Sequence, residues 1–265
     1  MKSKFPSDIL VPDQDGSLSP KKFSCSECRE GAGLDFNFTM AFQPIVNTKT
    51  KSVFSQEALV RGLYQESAYS ILSNVSEKNR YQFDQACRVK AIELASRLKI
   101  DSYLNINFLP NAVYKPESCI RTTLEASKTY NFPLNRLIFE LTEGEEVLDH
   151  AHVISIFEAY KKYGFLTAID DFGAGYSGLN LLAKFQPDLI KIDIELVRDI
   201  HLKRAAQIIV KSLVSVCQEL KIDVIAEGIE NMEEFKVLRD FGINLFQGFL
   251  FAKPSWESLA QVTYP

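Results

Sequence analysis

The feature that most constrains this chain is its rhythm. From Phe38 onward, short runs rich in β-branched and aromatic residues alternate with longer runs of helical periodicity. Eight strands are expected: Phe38–Val46, Ser52–Val60, Tyr103–Phe108, Leu137–Leu141, Phe165–Asp170, Leu189–Ile192, Asp223–Ala226 and Asn244–Phe249. Helical patterns cover Ser76–Lys99, Glu145–Tyr163, Val197–Leu220 and Met232–Phe241. Eight strands, mostly followed by helices, predict an α/β fold, a TIM-like (β/α)8 barrel. Only Asn47 to Lys51 join the first two strands. That is hairpin length and too short for a crossover helix, so one antiparallel strand is expected near the start.

The 265 residues suit one such barrel. Residues 1–36 are rich in Pro, Ser, Asp, Lys and Gly and lack periodicity, so they read as an irregular or partly disordered extension, with the barrel in 37–265. The net charge of −4 argues against binding long nucleic acid through a basic face. Neither a membrane span nor a secretory leader is visible, and the five cysteines are odd in number and scattered, so a cytoplasmic protein is expected. Cys25 and Cys28 form a CxxC pair with no second pair to complete a zinc site, which favours incidental thiols.

Barrel chemistry sits at the C-terminal ends of the strands. There the second strand carries Glu57, the third Asn107, the fourth Glu140 and the fifth Asp170 and Asp171. The sixth carries Lys191, the seventh Glu227 and the eighth Gln247. Each has a bland reading: a single acid can be a cap, Lys191 a neutralising partner, and Gly173 with Gly175 a tight turn. Their conjunction on successive strands is what the bland reading leaves unexplained. Five carboxylates, an amide and one ammonium at one mouth cannot all pair with each other, and a buried unpaired carboxylate is costly. Hard divalent cations would fill the deficit, and oxygen ligands favour Mg²⁺ or Mn²⁺ over zinc.

Read together, Glu57-Ala58-Leu59, the run from Asp170 to Ser177, Lys191-Ile192-Asp193, Glu227-Gly228-Ile229-Glu230 and Gln247-Gly248-Phe249 resemble the EAL domain, a cyclic di-GMP phosphodiesterase family. The resemblance covers about residues 38–256 with the motifs in order. It implies hydrolysis of cyclic di-GMP to linear pGpG by a water activated by two Mg²⁺ or Mn²⁺ ions. Glu57, Asn107, Glu140 and Asp170 would bind one ion, and Asp170, Asp171 and Glu227 the other. Lys191 would hold the water, Glu227 would be a plausible acceptor of its proton, and Gln247 would order water or substrate. Gln43 and Leu59 would face guanine, and Arg61 a phosphate. The loop with Phe172, Gly173 and Gly175, anchored by Glu230, would couple a homodimer to the metals. Leu109, Ala174 and Gly178 depart from the family's usual small polar residues but are not expected ligands. The rival expectations are a catalytically silent cyclic di-GMP receptor or protein-interaction domain, and an unrelated Mg²⁺-dependent barrel enzyme.

Overall fold

The computed structural model describes residues 10–12, 18–20, 34–113, 116–141, 150–173 and 178–265. Within the first 36 residues, Leu10–Pro12 pairs antiparallel with Leu18–Pro20. Cys25 and Cys28 lie outside the described residues.

Eight strands close into a barrel: β1 (Thr39–Asn47), β2 (Ser52–Arg61), β3 (Tyr103–Phe108), β4 (Leu137–Leu141), β5 (Leu166–Phe172), β6 (Leu189–Ile192), β7 (Asp223–Ala226) and β8 (Leu245–Phe246). Strands β2 to β8 run parallel in sequence order. The reversed strand is β1, antiparallel to both β2 and β8. Its register sets Thr39 opposite Arg61 and Gln43 opposite Glu57. A ninth strand, β9 (Ser255–Trp256), pairs with β1 at Phe42 and Ala41, while β8 takes Val46 and Asn47. Pro44, with no N–H to donate, lies in the stretch between those two partners.

Around the barrel are packed α1 (Ala68–Leu72), α2 (Arg80–Arg97), α3 (Pro116–Tyr130), α4 (His150–Lys162), α5 (Gly178–Lys184), α6 (Ile194–Val197), α7 (Arg204–Leu220) and α8 (Met232–Asp240). The main core fills the layer between strands and helices. Within it lies a buried ion pair. Arg88 on α2 meets Asp84 at 2.8 Å and donates to the Tyr160 hydroxyl at 2.8 Å. Its guanidinium lies 5.1 Å from the Phe139 ring centroid. Asp84 in turn accepts from the Leu109 backbone N–H at 3.0 Å, just past the end of β3.

A second, smaller core plugs the barrel interior: Ile45, Ile138, Ala168, Leu189, Ile225 and Leu245. This plug positions the chemistry, because side chains on a strand repeat every two residues. Two residues after Ile138, Ala168, Leu189, Ile225 and Leu245 come Glu140, Asp170, Lys191, Glu227 and Gln247. On the reversed β1 the polar partner, Gln43, comes two residues before Ile45. An apolar floor and a polar mouth are therefore consecutive layers of one barrel.

Candidate active site

Lys191 stands at the centre of the mouth, 1% exposed. Its Nζ lies 2.5 Å from Glu227 Oε1, 3.0 Å from Asp170 Oδ1, 3.2 Å from Glu57 Oε2 and 3.3 Å from Glu140 Oε2. Four carboxylates thus converge on one ammonium, with Asp171 beside them. Consecutive strand residues normally point to opposite faces. Asp171 escapes that rule because β5 carries a register irregularity between Ile169 and Phe172, and Asp171 itself has φ 51°. Bulges of this kind re-aim side chains next to active sites.

The carboxylates fall into two groups, Glu57–Glu140–Asp170 and Asp170–Asp171–Glu227, each with oxygens within 4.8 Å of one another. Asp170 belongs to both. Amides complete the shell. Asn107 donates to Glu57 Oε1 at 3.1 Å, Gln247 donates to Glu57 Oε2 at 2.7 Å and to Gln43 Oε1 at 3.2 Å, and Asn105 donates to Glu140. The carbonyl oxygens of Asn105, Asn107 and Gln247 have no hydrogen-bond partner. Orphaned buried acceptors beside surplus carboxylates form a hard-oxygen donor set, which fits divalent cations such as Mg²⁺ or Mn²⁺.

The electrostatics reflect the surplus. Burial, with the Glu57 and Asp170 charges added, pushes the Glu140 carboxyl up to about 8 against the pull of Lys191. Burial likewise raises Asp170, and it raises Glu227 well above the carboxylate range. Burial and the neighbouring Asp170 bring Asp171 to about 6. Only Glu57 is lowered: burial opposes it, but Lys191 and the Gln247 and Asn107 amides prevail. Lys191 is held well above its usual value, since the carboxylates outweigh its burial, so it stays an ammonium.

A cavity of about 280 Å³ opens onto Gln43, Glu57, Asp170, Lys191, Glu227 and Gln247, with Glu230 and Phe249 also on its wall. Asn107 and Glu140 reach the cluster through their bonds to Glu57 and Lys191. Leu59 and Arg61 follow Glu57 on the same face of β2, outside that cavity's lining; the Arg61 guanidinium donates to Val60 O at 2.7 Å. Phe172 is buried in the wall, and Gly173 turns with φ 108°, where a Cβ would lie 2.6 Å from Leu196. Gly175 lies outside the described residues. The Glu230 carboxylate is bonded to Arg198, at 3.0 Å from Nη2. Two functional-looking residues were missed from sequence. Asn105 announces itself by the two-residue period that already points Asn107 inward. Phe249 carries no such signal.

A family model described as the EAL domain matches residues 32–254. Among solved structures, a standalone versatile EAL protein of Vibrio cholerae O395 in its c-di-GMP-bound form is 57% identical, with a TM-score of 0.85 over 87% of this chain and 98% of that one. BlrP1 of Klebsiella pneumoniae, in a manganese/cy-diGMP complex, is 37% identical with a TM-score of 0.80, covering 86% of this chain and 59% of that one. Among curated relatives, the blue light- and temperature-regulated antirepressor BluF of Escherichia coli is 30% identical over 86% of this chain. The cyclic di-GMP phosphodiesterase PA2567 of Pseudomonas aeruginosa is 28% identical over 85%. The chain spans 57% of BluF and 40% of PA2567. Among the described residues, no helix is long and apolar enough to cross a membrane.

Proposed function

The chain belongs to the EAL domain family, and on that premise we propose that it hydrolyses one phosphodiester bond of cyclic di-GMP to give linear pGpG. The observation that carries this reading is the pair of carboxylate groups sharing Asp170. Glu57, Asn107, Glu140 and Asp170 would hold one Mg²⁺ or Mn²⁺ ion, and Asp170, Asp171 and Glu227 a second. When bound, such a pair lowers the pKa of water and neutralises charge growing on phosphate oxygens.

The chain's own groups then have separable tasks. Lys191 is a fixed ammonium, so it serves as a donor that orients the attacking water and cannot act as its base. Glu227, 2.5 Å from Lys191 at the mouth, stands where it can take the proton the water loses. Gln247 and Gln43 bond each other and fix one wall, and Gln43 is itself held by the Ala252 carbonyl at 3.2 Å. Leu59 and Arg61, nearer the rim of β2, would meet the guanine and phosphate of the ligand. The catalytic unit on this reading is the barrel from residue 37 onward, cytoplasmic and homodimeric, with residues 1–36 as an appendage.

The deciding measurement is conversion of cyclic di-GMP to pGpG by purified protein, followed by chromatography with Mg²⁺, with Mn²⁺ and with excess EDTA. Turnover with either cation, abolished by EDTA, is expected. Turnover undiminished by EDTA removes the metal reading. The antirepressor name of BluF motivates one rival, a silent receptor or protein-interaction domain. Tight binding of cyclic di-GMP by calorimetry with no turnover at any cation concentration would establish that rival.

A further inference from the structure

The floor of the barrel is apolar on six strands, which fill it with Ile45, Ile138, Ala168, Leu189, Ile225 and Leu245. The other two strands break the pattern. By the same two-residue step, β2 places Ser55 below Glu57, and β3 places Asn105 below Asn107. Ser55 is small. Asn105 carries a full amide, is wholly buried, and stands opposite Ile138 in the strand register. A leucine has a similar shape and would fill this layer with no polar group to satisfy. Packing therefore does not explain the amide. Its own hydrogen bonding does not explain it either, because its buried carbonyl oxygen has no partner. The bond its side chain does make runs upward and across to the next strand, from the amide N–H to Glu140 Oε1.

That bond decides how Glu140 meets the mouth. A free carboxylate can turn about its last bond and offer either oxygen. Glu140 is fully buried, with Oε1 held by Asn105 and Oε2 3.3 Å from the Lys191 ammonium at the centre of the mouth. It belongs to the Glu57–Glu140–Asp170 group and not to the Asp170–Asp171–Glu227 group. One layer up on the same strand, Asn107 bonds Glu57 of that same group. From this arrangement we propose that Asn105 is a positioning residue for one of the two cation sites. It fixes the Glu140 carboxylate with one oxygen turned to the centre, so that the Glu57–Glu140–Asp170 group takes its ion without first having to order a ligand. Buried partners that orient a metal ligand account for about 10–100-fold in metal affinity. The inference rests on the metal-dependent reading of the site, and it adds a residue that acts through Glu140 alone.

The test titrates Mn²⁺ into the substrate-free protein and reads the free ion by electron paramagnetic resonance, for wild type, Asn105→Leu and Asn105→Ala. The leucine keeps the volume without the donor. The alanine fits whatever the packing, so it carries the same expectation if the leucine variant does not fold. In each variant one of the two Mn²⁺ equivalents should weaken about 10–100-fold while the other holds its wild-type affinity. Turnover should fall at limiting Mn²⁺ and return to near the wild-type kcat when Mn²⁺ is raised to saturation. Wild-type affinity for both equivalents overturns the proposal. So does equal weakening of both, which would mean a general disturbance of the mouth. A wild type that binds Mn²⁺ without turning over cyclic di-GMP removes the hydrolase reading alone, and the titration still decides the role of Asn105. A wild type that binds no Mn²⁺ removes the metal reading and this inference with it.

Discussion

Two clusters of buried charge lie on opposite sides of the barrel wall, and they are solved differently. Outside the wall, Asp84 and Arg88 form a balanced pair, closed by the Tyr160 hydroxyl, the Leu109 amide and a ring at the guanidinium face. Inside the wall, Lys191 faces four carboxylates, with Asp171 beside them. Counted formally, the five acids and one lysine amount to the whole chain's −4. A balanced pair is explained by structure alone. A cluster in such excess offers oxygen donors that fit cations supplied from outside the chain. Imbalance, more than burial, separates the site from the scaffold here.

The sharpest way to break this comparison is Asp170→Asn, which removes the carboxylate both groups share. Turnover should vanish, and Mn²⁺, expected to raise the melting temperature of the wild type, should leave that of the variant unchanged; a variant still stabilised and active with Mn²⁺ would refute the shared-ligand reading. Lys191→Met should come next. It should lower kcat by about a hundredfold or more, the scale of a lost proton-handling group, with a much smaller change in KM. The reverse split would make Lys191 a substrate anchor. On the other side of the wall, Arg88→Met leaves Asp84 buried and alone. It should cost about 3–5 kcal/mol in denaturant unfolding. The double replacement Asp84→Leu with Arg88→Met should recover most of that loss, because an apolar pair can replace a balanced ion pair. Equal losses in single and double variants would show that the pair is not balanced after all.

The smallest effect belongs to a buried carboxylate outside both clusters, which needs no counter-ion. Glu234 accepts the Asp199 amide at 2.9 Å and the Glu230 amide at 3.1 Å, so it ties the loop after β6 to the loop after β7. Burial opposes its ionisation, but these amides prevail and hold it below the ordinary 4.5. Its contribution to stability is therefore present above about that pH and is lost as the pH falls through the lowered value. Glu234→Gln confronts one of the amides with an NH₂ group. It should cost about 1 kcal/mol at neutral pH and leave a flatter acid limb in a series of thermal melts. An acid limb as steep as in wild type would contradict the assignment.

Much of this was legible because strand periodicity is a strong signal. The expected β2, β3, β4, β6 and β7 agree with the observed strands to within a residue at each end. The mouth residues follow from those strands, since a floor residue and its polar partner are two positions apart. The failures have local causes. The helix expected over Val197–Leu220 is interrupted: α6 stops at Val197, and Asp199 adopts a left-handed φ of 54° to receive Glu234 before α7 starts at Arg204. No periodicity announces a carboxylate that arrives from another loop. The strand expected over Asn244–Phe249 shrinks to Leu245–Phe246, because Gly248 is pressed against Ile229 and turns the chain. The short helices α1 and α5, and the longer α3, were not anticipated. The irregularity at Asp171, which brings two successive aspartates to one site, is a backbone event that residue types alone do not specify.

The reversal of β1 has a consequence for how this domain can be wired. In an all-parallel barrel the chain enters its first strand at the floor. Here Thr39, the first residue of β1, lies opposite Arg61, the last residue of β2, so the chain enters at the rim of the mouth. Any segment joined ahead of residue 38 is leashed beside the cavity at the roughly millimolar local concentration that short linkers confer. A contact too weak to form between free molecules is favoured by that proximity. One inverted strand thus places the domain's upstream attachment within reach of its chemistry.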